Sequence, residues 1–272
     1  SFARALNYEY ADGVDYRGLT AFASLSMAVS EGVELIAACR NRERLETDFV
    51  GEVREGDIND VHYLSTLFDE IEVVVNGFAW TSVWGHAKAS KERLLNPTLK
   101  LIETAQQKGV SRWVNISSTS VAAPDQSSNP MSRGIMRNRW PHLNNVIRIE
   151  DTLRTRASDH FGVVNLRLGL FAGRRYGLGL LPILLPRLKT HLVPWVAGGR
   201  TSCPIVDGRD IGQAILLAVT TGGLETYESF NIVGKTVPSY REVISFINRE
   251  YGFPKPHPLT AMDSEAKAVS PR

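Results

Sequence analysis

The chain has little cysteine, no long hydrophobic run and almost no net charge, and each shortage removes a class of answer. Its only two cysteines, Cys39 and Cys203 in 272 residues, stand at metal-ligand spacing from no second Cys or His. A cysteine zinc site and a disulfide framework are therefore excluded. Both residues read as reduced thiols of a cytosolic, hence cytoplasmic, protein, with one distant disulfide left open. The most apolar stretch, Leu178 to Leu188, is short and broken by Pro182 and Pro186, so it cannot span a bilayer. Ser1 to Gly13 carries Arg4, Glu9 and Asp12 and lacks the apolar centre of a signal peptide. Lys and Arg number 31 against 29 Asp and Glu, a net charge of +2. That balance gives no reason to expect nucleic acid or a membrane surface as partner, and any electrostatic recognition must be local.

What is present is an alternation of strand and helix patterns. Hydrophobic residues at 43% and charged residues at 22% are ordinary for a globular protein of a size that buries one large α/β core. The stretch Arg112 to Val121 opens as an apolar strand and ends in Ser117, Ser118, Thr119 and Ser120. A buried parallel strand delivers polar groups to its carboxyl edge in this way, and ligands bind at that edge in open α/β sheets. Val33 to Ala38 and the β-branched run Ile71 to Ala79 read as further strands. Val53 to Asp60 reads as a short strand entering an acidic turn. Pro97 to Lys108 reads as a helix closed by Gly109, and Tyr240 to Tyr251 as a helix opened by the capping box Ser239-x-x-Glu242. Alternation of this kind predicts a doubly wound, mostly parallel sheet.

The amino-terminal segment is read less directly. Ser24 to Glu31 carries a helical apolar face, so a first strand and its phosphate-binding loop are expected just before Ser24. Counting back in threes, Asp15, Gly18 and Ala21 take the places where dinucleotide loops carry glycine, and only Gly18 fits. After the second strand come Arg40, Arg42 and Arg44. A basic residue there can pair with a ribose 2′-phosphate, which favours NADP over NAD, although a solvated helix start interleaved with Glu43 and Glu46 explains the same residues.

Four segments then carry a family resemblance: Gly56-Asp57-Ile58-Asn59-Asp60, Val75-Asn76-Gly77-Phe78-Ala79, Ile116-Ser117-Ser118-Thr119-Ser120-Val121, and Asn165 to Gly173. With Leu181 to Val219, they resemble in order the signatures of the extended short-chain dehydrogenase/reductases, the group of NAD-dependent epimerases, dehydratases and 3β-hydroxysteroid dehydrogenase-like enzymes. The resemblance runs from about residue 24 to about 250. It implies a Rossmann-like core over 1–170 and a smaller substrate lobe over 171–272, interleaved so that 206–220 returns to the core. It also places Asp57 and Ile58 by the adenine and Asn76, Gly77, Phe78 and Ala79 along the cofactor trough. Ser118 falls on the family's catalytic hydroxyl, three residues before the Val of the motif.

In that family a Tyr, followed four residues later by a Lys that lowers the phenol pKa, passes the proton. The resemblance aligns these positions with His142 and Val146, counted from the family's downstream Glu at Glu150, and no Tyr lies between Tyr63 and Tyr176. Tyr251 and Lys255 have the right spacing, but Gly252 and Pro254 between them prevent a shared helix face. His142 can replace the Tyr, because imidazole titrates near neutrality and can donate a proton to a developing alkoxide; a surface loop histidine is the competing reading. Arg137 and Arg139, with Arg133, can receive a substrate carboxylate or phosphate, and Leu168 and Tyr176 are placed on the substrate side. The expectation is an atypical NAD(P)-dependent oxidoreductase, epimerase or dehydratase acting on a small molecule by hydride transfer, with a homodimer open as an option. Two alternatives stand beside it: a non-catalytic NmrA-like sensor, and a cofactor-free cyclase or isomerase.

Overall fold

The computed structural model describes residues 4–9, 33–45, 49–80, 86–121, 140–172, 180–189 and 196–253. Seven strands form one sheet: β1 (Arg4–Glu9), β2 (Glu34–Cys39), β3 (Glu52–Glu55), β4 (Val73–Asn76), β5 (Arg112–Ser118), β6 (Gly162–Leu168) and β9 (Tyr227–Ile232). Their order is β3-β2-β1-β4-β5-β6-β9, and every adjacent pair is parallel. The order reverses between β1 and β4, which is where an open α/β sheet has its ligand crevice. A two-stranded parallel pair, β7 (Leu170–Ala172) with β8 (Ile205–Asp207), lies outside this sheet.

The buried strands are those whose sequences are densest in β-branched and aromatic residues. β4 is buried throughout, and Trp113 and Val114 of β5 and Val163 and Val164 of β6 are buried with it. The first strand sits elsewhere than expected: β1 is Arg4–Glu9, well ahead of Ser24. Arg4, Asn7 and Glu9 break its sequence pattern, and it has no β-branched residue, so periodicity alone does not find it. Gly18, with Asp15 and Ala21, lies outside the described residues, as do Arg133, Arg137, Arg139, Tyr176 and Lys255.

The helices are α1 (Val61–Leu67), α2 (Ala87–Ser90), α3 (Asn96–Gln107), α4 (Pro141–Arg156), α5 (Leu180–Lys189), α6 (Gly208–Thr220) and α7 (Tyr240–Tyr251). A π-helical turn, Lys91–Leu95, joins α2 to α3, so helical structure begins ten residues ahead of Pro97, where the sequence pattern places the helix start. Proline lacks the N–H that an α-turn would use, and the wider turn just before it absorbs the misfit. One large core joins Leu64, Leu67 and Phe68 to Leu101, Ile102 and Ala105, with Trp113, Ile149 and Leu153.

The chain divides into two compact units, 1–168 with 208–232, and 169–207 with 233–272. In the second, Leu184 and Leu188 of α5 pack with Cys203, Val243, Ile244 and Ile247. Gly169 leads into β7, where a Cβ would stand 2.1 Å from the Pro204 carbonyl oxygen, a contact only glycine avoids. The capping box at Ser239 and Glu242 is present, and Gly252 ends α7 in the left-handed conformation at φ 65°. Tyr251 therefore closes its helix. Cys39 and Cys203 are buried thiols without a disulfide. No helix among the described residues is long and apolar enough to cross a membrane.

Candidate functional site

Strand alternation decides what each residue at the carboxyl edge of the first unit can do. On β5, Trp113, Asn115 and Ser117 share one face, and Val114, Ile116 and Ser118 share the other. The first face meets α4, since the Ser117 hydroxyl donates to the Glu150 carboxylate. The Arg167 guanidinium donates to that carboxylate from Nε at 3.1 Å and from Nη2 at 2.6 Å. Glu150 is only 2% exposed, so this fork supplies the partners that a buried charge requires.

One row inward, asparagines cross three strands in register. Asn76 Nδ2 donates to Asn115 Oδ1 at 3.0 Å, and Asn115 Nδ2 donates to Asn165 Oδ1 at 2.9 Å. The ladder begins at the Phe78 backbone N–H, which donates to Asn76 Oδ1 at 3.4 Å, and so fixes the chain leaving β4. Of the four residues expected along a trough, Asn76 and Phe78 are buried with their side chains directed into the protein, while Gly77 and Ala79 are half-buried. Small residues at those two places leave the backbone accessible to a ligand.

At the tips of β2 and β3, Arg40 and Asp57 form an ion pair, Nε to Oδ2 3.7 Å, with side chains 37% and 43% exposed. Asp57 Oδ1 accepts from the backbone N–H and the side-chain amide of Asn59, at 2.9 and 2.8 Å. These bonds aim the carboxylate, and a loose exposed pair is weak enough to be rearranged by an incoming anion. Arg40, Asp57, Gly77 and Ala79 thus fit the adenosine end of a dinucleotide. Ile58 sits in the hydrophobic core at 3% exposure, so only its backbone can reach a base.

Ser118 ends β5 opposite Leu168, which is buried. Its oxygen accepts from the Ser120 backbone N–H at 3.2 Å, and its own proton has no acceptor among the described residues. The strand then turns through Thr119–Val121, and Val121 packs on Leu143 and Ile147 of α4.

His142 is the second residue of α4 rather than a loop residue. Its ring meets Trp80 edge-on, with centroids 6.0 Å apart at 69°, and its Nδ1 lies 3.5 Å from Ser90 Oγ. Burial pushes the imidazole down to about 4, so against the expectation it does not titrate near neutrality and is neutral at pH 7. Ser118 and His142 make no direct hydrogen bond with each other. Val146, at the expected Lys position, is half-buried against the core and supplies no cation. Sequence reasoning missed Ser90, Asn145 and Trp80, since nothing local marks them; the Ser117–Glu150–Arg167 fork was touched only through Glu150. Among the described residues no group of three or more His, Cys, Asp or Glu could hold a metal.

A model of the NAD dependent epimerase/dehydratase family matches residues 17–232. Among solved structures, MoeE5 in complex with UDP-glucuronic acid and NAD is similar at 18% identity and a TM-score of 0.71, over 95% of this chain and 86% of that one. The Bordetella bronchiseptica enzyme WbmH in complex with NAD+ is similar at 16% identity and a TM-score of 0.71, over 95% and 86%. The UDP-glucose 4-epimerase of Thermus thermophilus in complex with NAD is similar at 18% identity and a TM-score of 0.67, over 99% and 94%. At such identities the likeness shows a shared fold. No curated protein matches the chain.

Proposed function

The chain belongs to the NAD dependent epimerase/dehydratase family, and from that premise we propose that it is an atypical member acting on a small molecule by hydride transfer, with NADP preferred to NAD. The observation that carries this reading is the reversal of strand order between β1 and β4, with Ser118 ending the next strand but holding a proton that no protein group accepts among the described residues. A bound nicotinamide dinucleotide supplies the hydride acceptor or donor.

The chain's own groups do the rest. The Ser118 hydroxyl donates to the substrate oxygen and orients it. His142, neutral at pH 7, stands where the family has its Tyr but acts as a hydrogen-bond donor: its ring N–H polarises that oxygen, and the proton that balances the hydride is exchanged with solvent. Arg40, at the tip of β2 beside Asp57, pairs with a ribose 2′-phosphate, which is the basis for preferring NADP. Arg137, Arg139, Leu168 and Tyr176 are proposed on the substrate side, Tyr176 as part of a smaller lobe over 171–272 from which 206–220 returns to the core. The neighbours solved in complex with UDP-glucuronic acid or with UDP make nucleotide sugars the first substrates to try, beside small carbonyl compounds.

The test is NADPH consumption with the carbonyl compounds, and product formation from the nucleotide sugars in the presence of NADP+, by the unmodified chain, Ser118→Ala and His142→Gln. Each variant should lose turnover by about a hundredfold while retaining NADPH binding. A second reading, a sensor that binds dinucleotide without chemistry, is favoured by Val146 at the Lys position, which leaves no cation to support a proton relay. NADPH binding with no turnover on any compound would select it.

A further inference from the structure

The mechanism leaves unexplained how a neutral imidazole is kept in one protonation pattern. Neutral histidine has two tautomers, and only the one carrying its proton on the outward nitrogen can donate to a ligand. At His142 the inward nitrogen is Nδ1, which faces Ser90. Nε2 has no partner among the described residues.

Ser90 is fully buried at 0% exposure, and its behaviour differs from that of other helical hydroxyls. Thr98, Thr104, Thr152 and Thr220 turn theirs back to the carbonyl four residues earlier. Ser90 instead accepts from Asn145 Nδ2 at 2.9 Å, one turn along α4 from His142. With its oxygen receiving that bond, its proton has a single acceptor within reach among the described residues, His142 Nδ1 at 3.5 Å. A buried hydroxyl proton seeks a partner, and contacts of this length commonly tighten when a site is filled. Asn145 is itself buried, so its amide is held in place from α4 while Ser90 is held from α2.

We propose that Ser90 and Asn145 are positioning residues for His142: the chain from Asn145 Nδ2–H to Ser90 Oγ, and from Ser90 O–H to His142 Nδ1, fixes the Nε2–H tautomer. The imidazole then meets a substrate oxygen as a neutral hydrogen-bond donor, and Trp80 keeps its plane from turning. This rests on the reading that His142 faces the substrate. The helix start at Pro141 adds to the same end, because its positive dipole disfavours a cation two residues in.

The test is two-bond proton–nitrogen NMR on the full chain with 15N-labelled histidine, the His142 signals being identified by their loss in His142→Gln. At pH 7 the expected result is an unprotonated Nδ1 and a protonated Nε2. Ser90→Ala, which removes one atom, should give a tautomer mixture, and Asn145→Ala a smaller shift in the same direction. A protonated Nδ1 in the unmodified chain, or tautomers unchanged in Ser90→Ala, would overturn the proposal. NADPH is then added to the same samples. His142 signals that fix the predicted tautomer but do not respond to NADPH would uphold the positioning and sink the functional reading; signals that respond while showing a protonated Nδ1 would do the reverse.

Discussion

Across β4, β5 and β6 the polar side chains bond chiefly to one another, with Asn165 Nδ2 left over at the buried end of the row, whereas at Ser118 and at the Trp80–Ser90–His142 corner donors are left over at half-buried positions. In the first region Asn76, Asn115 and Asn165 are linked in register, and Glu150 gathers Ser117 and Arg167. In the second, a hydroxyl proton and a ring nitrogen lack protein partners among the described residues. Both regions are polar groups in or near a core; the first leaves only Asn165 Nδ2 of its asparagine row unpaired, deep in the sheet, and the second leaves its donors at half-buried positions. Completed networks hold a shape; incomplete ones beside a crevice have capacity for a ligand.

The largest effect should come from breaking the closed region. Glu150→Ala leaves the Arg167 guanidinium without its buried carboxylate and should cost about 3 kcal/mol in chemical denaturation. An effect below about 1 kcal/mol would mean that the fork is as dispensable as a surface pair. Next is acid. A histidine with its folded pKa near 4 binds fewer protons folded than unfolded between there and about 6.5. The stability conferred by neutral His142 is therefore complete above about pH 6.5 and lost as pH falls toward about 4, by about 3 kcal/mol. The check is the difference between the unmodified chain and His142→Gln across that window, which removes the titration of every other group. Asn115→Val should then cost about 2 kcal/mol, because it strands Asn76 Nδ2 and Asn165 Oδ1, while replacing all three asparagines by Val should cost no more than the single change. Ser118→Ala should cost about 1 kcal/mol or less, since the bond it loses is the 3.2 Å one its oxygen accepts from the Ser120 N–H.

The same contrast separates what the sequence disclosed from what it hid. Strands such as Val73–Asn76 and Gly162–Leu168 announce themselves, because burial on both faces demands apolar runs whatever the rest of the chain does. β1 does not, since Arg4, Asn7 and Glu9 interrupt it. At the site, Arg40 and Asp57 were separately legible from their places after strands, but their pairing depends on β2 lying beside β3. Ser90 was illegible for a stronger reason. Its importance comes from α2 meeting α4, 52 residues apart in the chain, and a serine in a polar helix carries no mark of that. His142 was found through the family alignment alone, and its displaced titration is a property of burial that no spacing reveals.

In the proposed function the carboxyl edge of this sheet receives a nicotinamide dinucleotide with Arg40 at the ribose phosphate. Calorimetric titration of the unmodified chain and of Arg40→Ala with NADPH and with NADH decides whether it does. Saturable binding tighter for NADPH, with Arg40→Ala weakening NADPH about tenfold and leaving NADH unchanged, is the predicted result. Absence of binding by either dinucleotide at millimolar concentration would contradict it.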